Sequence, residues 1–206
     1  MTGVQPVTMF IARSSAVIAA LLALVVTVVG AATEPGHSHV ANYISELGAR
    51  GTAHGELVSL GGFLPIGIAA FVALIASARL EPNRRLRTSI GWMMVLPLAY
   101  VTAAFARCTE RCAGMDGAQF LHNLAGMAEY LGGAIALAIA GAALWRSGRK
   151  SLSAALWLSS VAVFIFMGYL GQPLFEFRGA AQRLAETLLF GFLLFLAWHG
   201  RPSSVE

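Results

Sequence analysis

Four ionisable side chains fall within otherwise apolar stretches of this chain: His122, Glu129, Arg183 and Glu186. A charge at the centre of a bilayer costs ~2.5–3.5 kcal/mol on insertion scales, so such groups face the protein interior and usually carry function. His122 and Glu129 are seven residues apart, which on a helix puts them on one face two turns from each other. Arg183 and Glu186 are three apart and share a face in the same way. Histidine exchanges protons near neutral pH and arginine binds phosphate or carboxylate through its planar fork. His122, Glu46, Glu129 and Arg183 are therefore the candidate catalytic set, with Ser45, Gln182 and Glu186 as candidate ligand-binding residues. Arg183 is expected to pair with Glu129 or Glu186, since paired charges are the form in which ions persist inside a membrane. A purely structural ion network between two helices accounts for the same residues.

A second chemistry is metal binding. His37 and His39 lie two apart in a loop, His54 precedes an apolar stretch, and Asp116 approaches from the segment before His122. Zinc favours three such ligands with a fourth position open. No His-Glu-x-x-His pattern is present, and ligands drawn from separate segments are a weak signal, so no cofactor is expected and zinc is the one ion these residues would suit. The only cysteines, Cys108 and Cys112, are expected to form a disulfide, because a nearby pair outside the cytoplasm is oxidised. Their three-residue spacing is not the Cys-x-x-Cys of redox enzymes.

The elements that must position these residues follow from composition. Hydrophobic residues make up 57% of the chain and charged residues 12%, well below the roughly 25% of soluble domains. A hydrocarbon core of about 30 Å needs about 20 apolar residues per helix, and six segments qualify, at about 9–32, 57–78, 89–106, 122–145, 153–171 and 180–198. The expected fold class is all-α, a six-helix polytopic membrane bundle forming a single domain over residues 1–206. The apolar run of the first segment exceeds that of a signal peptide, so it reads as a retained helix. Pro65 and Pro97 predict kinks, and glycines at 61, 62, 132, 133, 168 and 171 read as close helix packing.

Positive charge in short loops stays cytoplasmic. With the N-terminus inside, nine of the fourteen basic residues are cytoplasmic (Arg13, Arg79, Arg84, Arg85, Arg87, Arg146, Arg149, Lys150, Arg201), against Arg50, Arg107, Arg111, Arg178 and Arg183 outside. Both termini are thus expected in the cytoplasm of a bacterium whose inner membrane holds the chain. Among the acidic residues only Glu81 and Glu206 fall inside, so the acidic groups collect on the outer side. The basic inner face is accounted for by topology and anionic lipid, and nucleic-acid binding is not indicated.

Between the first two spans runs a 24-residue connection, Thr33–Glu56, too long to be a plain turn. Val40, Tyr43, Ile44 and Leu47 recur at helical spacing, predicting a short amphipathic helix on the outer surface with Gly48 as its C-cap. The His39-Val-x-x-Tyr-Ile-Ser-Glu-Leu-Gly48 run, His122 at the start of the fourth span, and Gly179-x-x-Gln182-Arg183 opening the sixth resemble the domain of unknown function 998 family of bacterial and archaeal membrane proteins. That resemblance implies the six-helix fold and carries no activity with it. The Ile44-Ser-Glu-Leu-Gly48 segment also resembles the Frag/DRAM/Sfk-type membrane family, some of whose members act in lipid remodelling or organisation.

Two function classes remain open. One is an enzyme or binding protein acting on a lipid at the outer leaflet, with the first loop as a lid. The other is a transporter or accessory membrane protein whose buried charges serve proton coupling or helix assembly. The first predicts a pocket closed toward the cytoplasm, and the second predicts polar groups in the cytoplasmic half, where the sequence has almost none. Membrane lipid is the expected partner, and an oligomeric state is not indicated.

Overall fold

The structure is a computed structural model and describes residues 4–170 and 176–200. Six helices are long and apolar enough to cross a membrane: α1 (Gln5–Thr33), α2 (Gly55–Leu80), α3 (Arg84–Phe105), α4 (Gly117–Arg146), α5 (Lys150–Tyr169) and α6 (Arg178–His199). Arg201, Glu206 and Gly171, and so the expected end of the fifth span, lie outside the described residues. The chain is a multi-pass membrane protein with an all-helical fold.

Several helices begin earlier than apolarity alone indicates, because capping rather than hydropathy starts a helix. The Asn83 side chain accepts the backbone N–H of Arg85 and of Leu86, so α3 starts through four polar residues. The Asp116 carboxylate accepts the Gln119 N–H at 2.8 Å and starts α4 at Gly117, five residues before His122. Both prolines sit beside an irregularity in their helices. Pro97 cannot donate to the carbonyl of Met93, and α3 is interrupted at Met94. Pro65 directly follows a widened turn, Ser59–Phe63, in α2, and a second such turn, Val26–Gly30, lies in α1.

Neighbours in sequence pack side by side, and α6 closes the ring against α1, so the order around the bundle is α1 to α6. Helix α2 also touches α6 across the ring, whereas α4 and α6 barely meet. Within this ring α1 and α5 are the most lipid-exposed. On α1 only the stripe Ala12, Ala16 and Ala19 is fully buried, while Phe10, Ile18, Leu21 and Val25 face outward. Small residues give the close approaches that drive packing in lipid. A Cβ on Gly67 would sit 2.9 Å from the Pro97 carbonyl, on Gly62 2.6 Å from Val26, and on Gly133 2.5 Å from Leu189. Gly168 has no such neighbour and is not a packing position. Serines tie helices together where no water competes: Ser89 Oγ donates to the Ala136 carbonyl and Ser153 Oγ to that of Gly141, both at 2.7 Å.

One face of the bundle carries residues 34–54, 106–116 and the start of α6, and is called the loop face. The other carries the start of α1 and the end of α6. The amphipathic helix expected on the loop face is shorter than its sequence pattern: a five-residue 3₁₀ helix, Ile44–Gly48, that buries Ile44 and Leu47 and follows an irregular stretch. Val40 is exposed rather than seated, and Gly48 belongs to the turn with Ala49 after it. The reason Gly48 has no side chain is space: a Cβ there would meet the Phe63 ring at 2.5 Å and Ser59 Oγ at 2.7 Å.

The glycine contacts predict a contrast in stability. Gly67→Ala should lower thermal stability in detergent by about 1–3 kcal/mol through overpacking against α3. Gly191→Ala, whose Cβ meets nothing within 4 Å, should be neutral or stabilising by up to about 1 kcal/mol. Circular-dichroism melts of the two variants check this, and equal behaviour would contradict the α2–α3 packing.

Candidate functional site

The start of α6 is a dock for the first loop. At Gly179 a Cβ would lie 2.3 Å from the Asn42 carbonyl oxygen, so only glycine lets the loop lie this close. Ala180 N–H donates to the Val40 carbonyl at 3.0 Å, and Ile44 N–H donates to Gln182 Oε1 at 2.6 Å. Arg183 then reaches back over the loop. Its Nη1 donates to the Asn42 carbonyl at 2.8 Å, its Nε to His39 Nδ1 at 3.0 Å, and its Nη2 lies 3.1 Å from His37 Nε2. Glu46 closes the other side, accepting from Tyr43 N–H at 3.0 Å, Asn42 Nδ2 at 2.8 Å and Arg178 Nη2 at 3.3 Å. Arg178 also stacks on the Tyr43 ring.

The expected pairing of Arg183 with Glu129 or Glu186 is therefore wrong. Its guanidinium is spent on loop carbonyls and imidazoles, which lie nearer the helix end than either carboxylate. His37 and His39 meet at Arg183 and not with the other suggested metal ligands. Asp116 caps α4 and pairs with Arg50, and His54 is exposed before α2. The Gln119 N–H and Arg50 hold the Asp116 carboxyl below the usual carboxylate range.

The second loop locks onto the first. Arg107 donates from Nε to the Gly48 carbonyl and from Nη2 to that of Ala49, both at 2.9 Å, and Arg50 N–H donates to the Cys108 carbonyl. Cys108 and Cys112 are joined as a disulfide. Between them, Arg111 and Cys112 both adopt left-handed backbone (φ 58° and 50°), a costly conformation for residues with side chains. The strained turn places Arg111 and Cys112 on the wall of a cavity. Among the described residues, Cys108, Cys112 and His122 are the one group of three or more ligand-type side chains whose ligating atoms lie together, within 4.8 Å of one another. The disulfide occupies both sulfurs, which leaves the imidazole as the only free donor of the three.

That cavity, of about 640 Å³, is the space left where α4 and α6 separate. His122, Glu129, Glu186, Gln182 and Ser45 all line it, whereas Glu46 and Arg183 do not. His122 Nδ1 lies 3.0 Å from the Ala106 carbonyl, which fixes the ring with its proton on Nδ1. Deeper, Glu186 takes one hydroxyl on each oxygen: Tyr130 donates to Oε1 at 2.7 Å and Tyr100 to Oε2 at 3.0 Å. Gln182 Nε2 donates in turn to the Tyr130 hydroxyl at 3.2 Å, so loop, α6 and α4 share one hydrogen-bonded chain. Glu129 is 5% exposed and lines the same cavity as Glu186. Among the described residues its buried Oε1 has no partner. Most of the remaining wall is apolar, with Phe63, Ala99, Ala103, Met127 and Met167.

Sequence reasoning missed Tyr100, Tyr130, Asn123 and Arg111. A signal existed for the tyrosines, since a carboxylate buried in a span needs donors and tyrosine is an apolar residue that carries one. It missed as well Gln119, fully buried, whose Oε1 accepts from the backbone and hydroxyl of Thr109 and holds the second loop on α4.

The family model described as a protein of unknown function, DUF998, matches residues 17–199. The chain belongs to this family. No curated protein and no solved structure matches it. The matched region takes in the His39–Gly48 run and the Gly179-x-x-Gln182-Arg183 motif, and these are the two halves of a single interface.

The clasp should respond to pH through His37. A guanidinium only donates, so His39 Nδ1 and His37 Nε2 must each be unprotonated to accept. Burial, then Arg183, lowers the pKa of His37, with Glu46 opposing and His39 adding to the depression. A histidine held neutral in the folded state contributes stability that is fully present above its unfolded pKa of about 6.5 and is lost as pH falls from there through the lowered folded value. Protection factors of residues 37–48, with exchange rates corrected for the intrinsic slowing of amide exchange in acid, should therefore fall between pH 7.5 and 5.5, and His37→Asn should flatten that fall. Arg183→Ala should release the same segment at every pH and cost about 1.5–3 kcal/mol, the range for hydrogen bonds to a charged group. An Arg183→Ala protein with unchanged exchange in this loop would refute the clasp.

Proposed function

We propose that this chain is a cytoplasmic-membrane protein with both termini in the cytoplasm, and that its loop-face cavity binds the headgroup end of a membrane lipid at the outer leaflet. The observation that carries this reading is the cavity itself, in which a small set of convergent polar groups lies in a mostly apolar wall large enough for a lipid headgroup. The cavity ends on an apolar layer. Met93 and Leu96 of α3, Leu137 of α4, and Leu189 and Leu193 of α6 are all fully buried between it and the other face. A closed floor fits binding or modification from one side and gives no path for a carrier, so nothing specific favours transport.

The charge distribution supports the orientation. Four of the five loop-face arginines are consumed locally: Arg50 by Asp116, Arg107 by carbonyls, Arg178 by Glu46 and Arg183 by the loop. The arginines and lysine at the other face form the excess that stays cytoplasmic. The resident ligand set would be Glu129, Glu186, Tyr130 and Gln182 at depth, with His122 and Arg111 nearer the mouth. Arg183 and Glu46, first read as catalytic, shape the lid instead.

Two measurements test this. Reporter fusions after Arg87 and Arg149 should read cytoplasmic, and those after His54 and Ala113 periplasmic; the reverse pattern would overturn the orientation. Gly126 lines the cavity and a Cβ on it meets nothing within 4 Å, so Gly126→Phe should fill the space without disturbing the fold. Native mass spectrometry should then show lipid retained by the wild-type protein and lost from the variant at unchanged melting temperature. Equal lipid retention would remove the cavity as the binding site.

A further inference from the structure

We infer that the group recognised at the floor of the cavity is a primary ammonium, held between Glu129 and Glu186. The inference rests on the lipid-binding reading above and names the chemical class that reading leaves open. It starts from the buried carboxyl pair. Burying acidic groups away from water is unfavourable unless each is bonded and its charge is balanced by a cation or removed by a proton. Glu186 has a donor on each oxygen, both neutral hydroxyls. Glu129 lines the cavity, and among the described residues its buried Oε1 has no donor. Among the described residues neither carboxyl has an ion pair: the two salt bridges are Arg50–Asp116 and Arg178–Glu46. What the pair lacks is a donor that also carries positive charge.

The surroundings choose among cations. Calcium takes six or more oxygens and magnesium a near-octahedral shell, whereas two of the four carboxyl oxygens here already accept tyrosine hydrogens. Those hydroxyls point their hydrogens at the carboxylate and offer a metal only crowded lone pairs, because the Tyr130 oxygen also accepts from Gln182. A trimethylammonium has no N–H to give and is recognised by the faces of aromatic rings. Here both tyrosines are turned to present their hydroxyls to Glu186. A neutral alcohol could donate to Glu129 but would leave two adjacent carboxyls uncompensated. A primary ammonium supplies three donors and one charge in a compact head, and the apolar wall of Ala99, Ala103 and Met167 accepts the rest of the molecule.

Two sources present that head: an aminophospholipid, which adds a phosphate, and a free long-chain amine, which does not. Arg111 separates them. It lines the same cavity beside Cys112, with no hydrogen bond among the described residues, and its guanidinium would meet a phosphate but not a bare alkyl chain.

The test uses the full-length protein in a non-ionic detergent, titrated in turn with phosphatidylethanolamine, phosphatidylcholine of the same chains, dodecylamine and dodecanol, and read by native mass spectrometry. Phosphatidylethanolamine should bind roughly tenfold or more tighter than phosphatidylcholine, and dodecylamine likewise than dodecanol, as expected for a charge-assisted bond. Glu129→Gln should erase both preferences without lowering the melting temperature. Arg111→Gln should weaken the phospholipid alone if the source is a phospholipid, and neither ligand if it is a free amine. Equal binding of ethanolamine and choline lipids together with equal binding of amine and alcohol would overturn the ammonium while leaving lipid binding intact. No binding of any of the four would overturn both readings. The amine-against-alcohol comparison on the wild-type protein stands even if the Glu129 variant fails to fold.

Discussion

The absence of one methyl group, at Gly179, sets the relation between the first loop and the bundle. A loop at a membrane surface must satisfy its backbone without a sheet or helix of its own. Residues 37–48 do so by lying against the opening turn of α6, close enough for the Asn42 carbonyl to occupy the space a side chain would take. From that contact follow the Ile44–Gln182 bond, the reach of Arg183 to two histidines, and the Arg178–Glu46 pair. Gly48 repeats the device on the other side, letting the turn rest on Ser59 and Phe63 of α2. The loop is therefore a wall of the cavity, and Tyr43, Ile44 and Ser45 face into it.

A ring of six helices does not have to enclose a polar site. Here it does because α4 and α6 part at the loop face while α2 crosses to α6 lower down. Polar residues in a span are tolerated where they line such a space. Tyr100 is on the second half of α3, beyond the interruption at Met94, so the proline beside that interruption also sets the direction from which a donor reaches Glu186. The same tyrosine packs edge-on between Phe63 and Phe190, which holds its hydroxyl in place. The hydrogen-bonded chain from Ile44 through Gln182 and Tyr130 to Glu186 ties the state of the lid to the state of the buried acid. A ligand that engages the carboxyls and a proton that loosens the histidine clasp thus act on two ends of one network.

By itself the sequence determined the membrane bundle, its six spans, helix irregularities beside Pro65 and Pro97, and the nearness of Cys108 to Cys112. All of these rest on local or compositional physics: the length of hydrocarbon to be crossed, a missing N–H, and a separation of four residues. Of the four groups it marked as needing a protein interior, His122, Glu129, Arg183 and Glu186, the structure buries the two glutamates and half-buries the other two. The sequence failed at partners. Arg183 was matched to the acids by depth and charge sign, but an arginine side chain is long and bonds whatever acceptors it reaches first, and a loop distant in sequence put two imidazoles and a carbonyl there. The amphipathic spacing of Val40 to Leu47 was real as a pattern, but only Ile44–Gly48 became helix, because the Val40 carbonyl and the Ile44 N–H bond to Ala180 and Gln182 of α6. Which polar groups converge, and which acid is left without a donor, depended on where α4 and α6 separate. That separation is a property of packing between helices far apart along the chain, and only the tertiary structure could decide it.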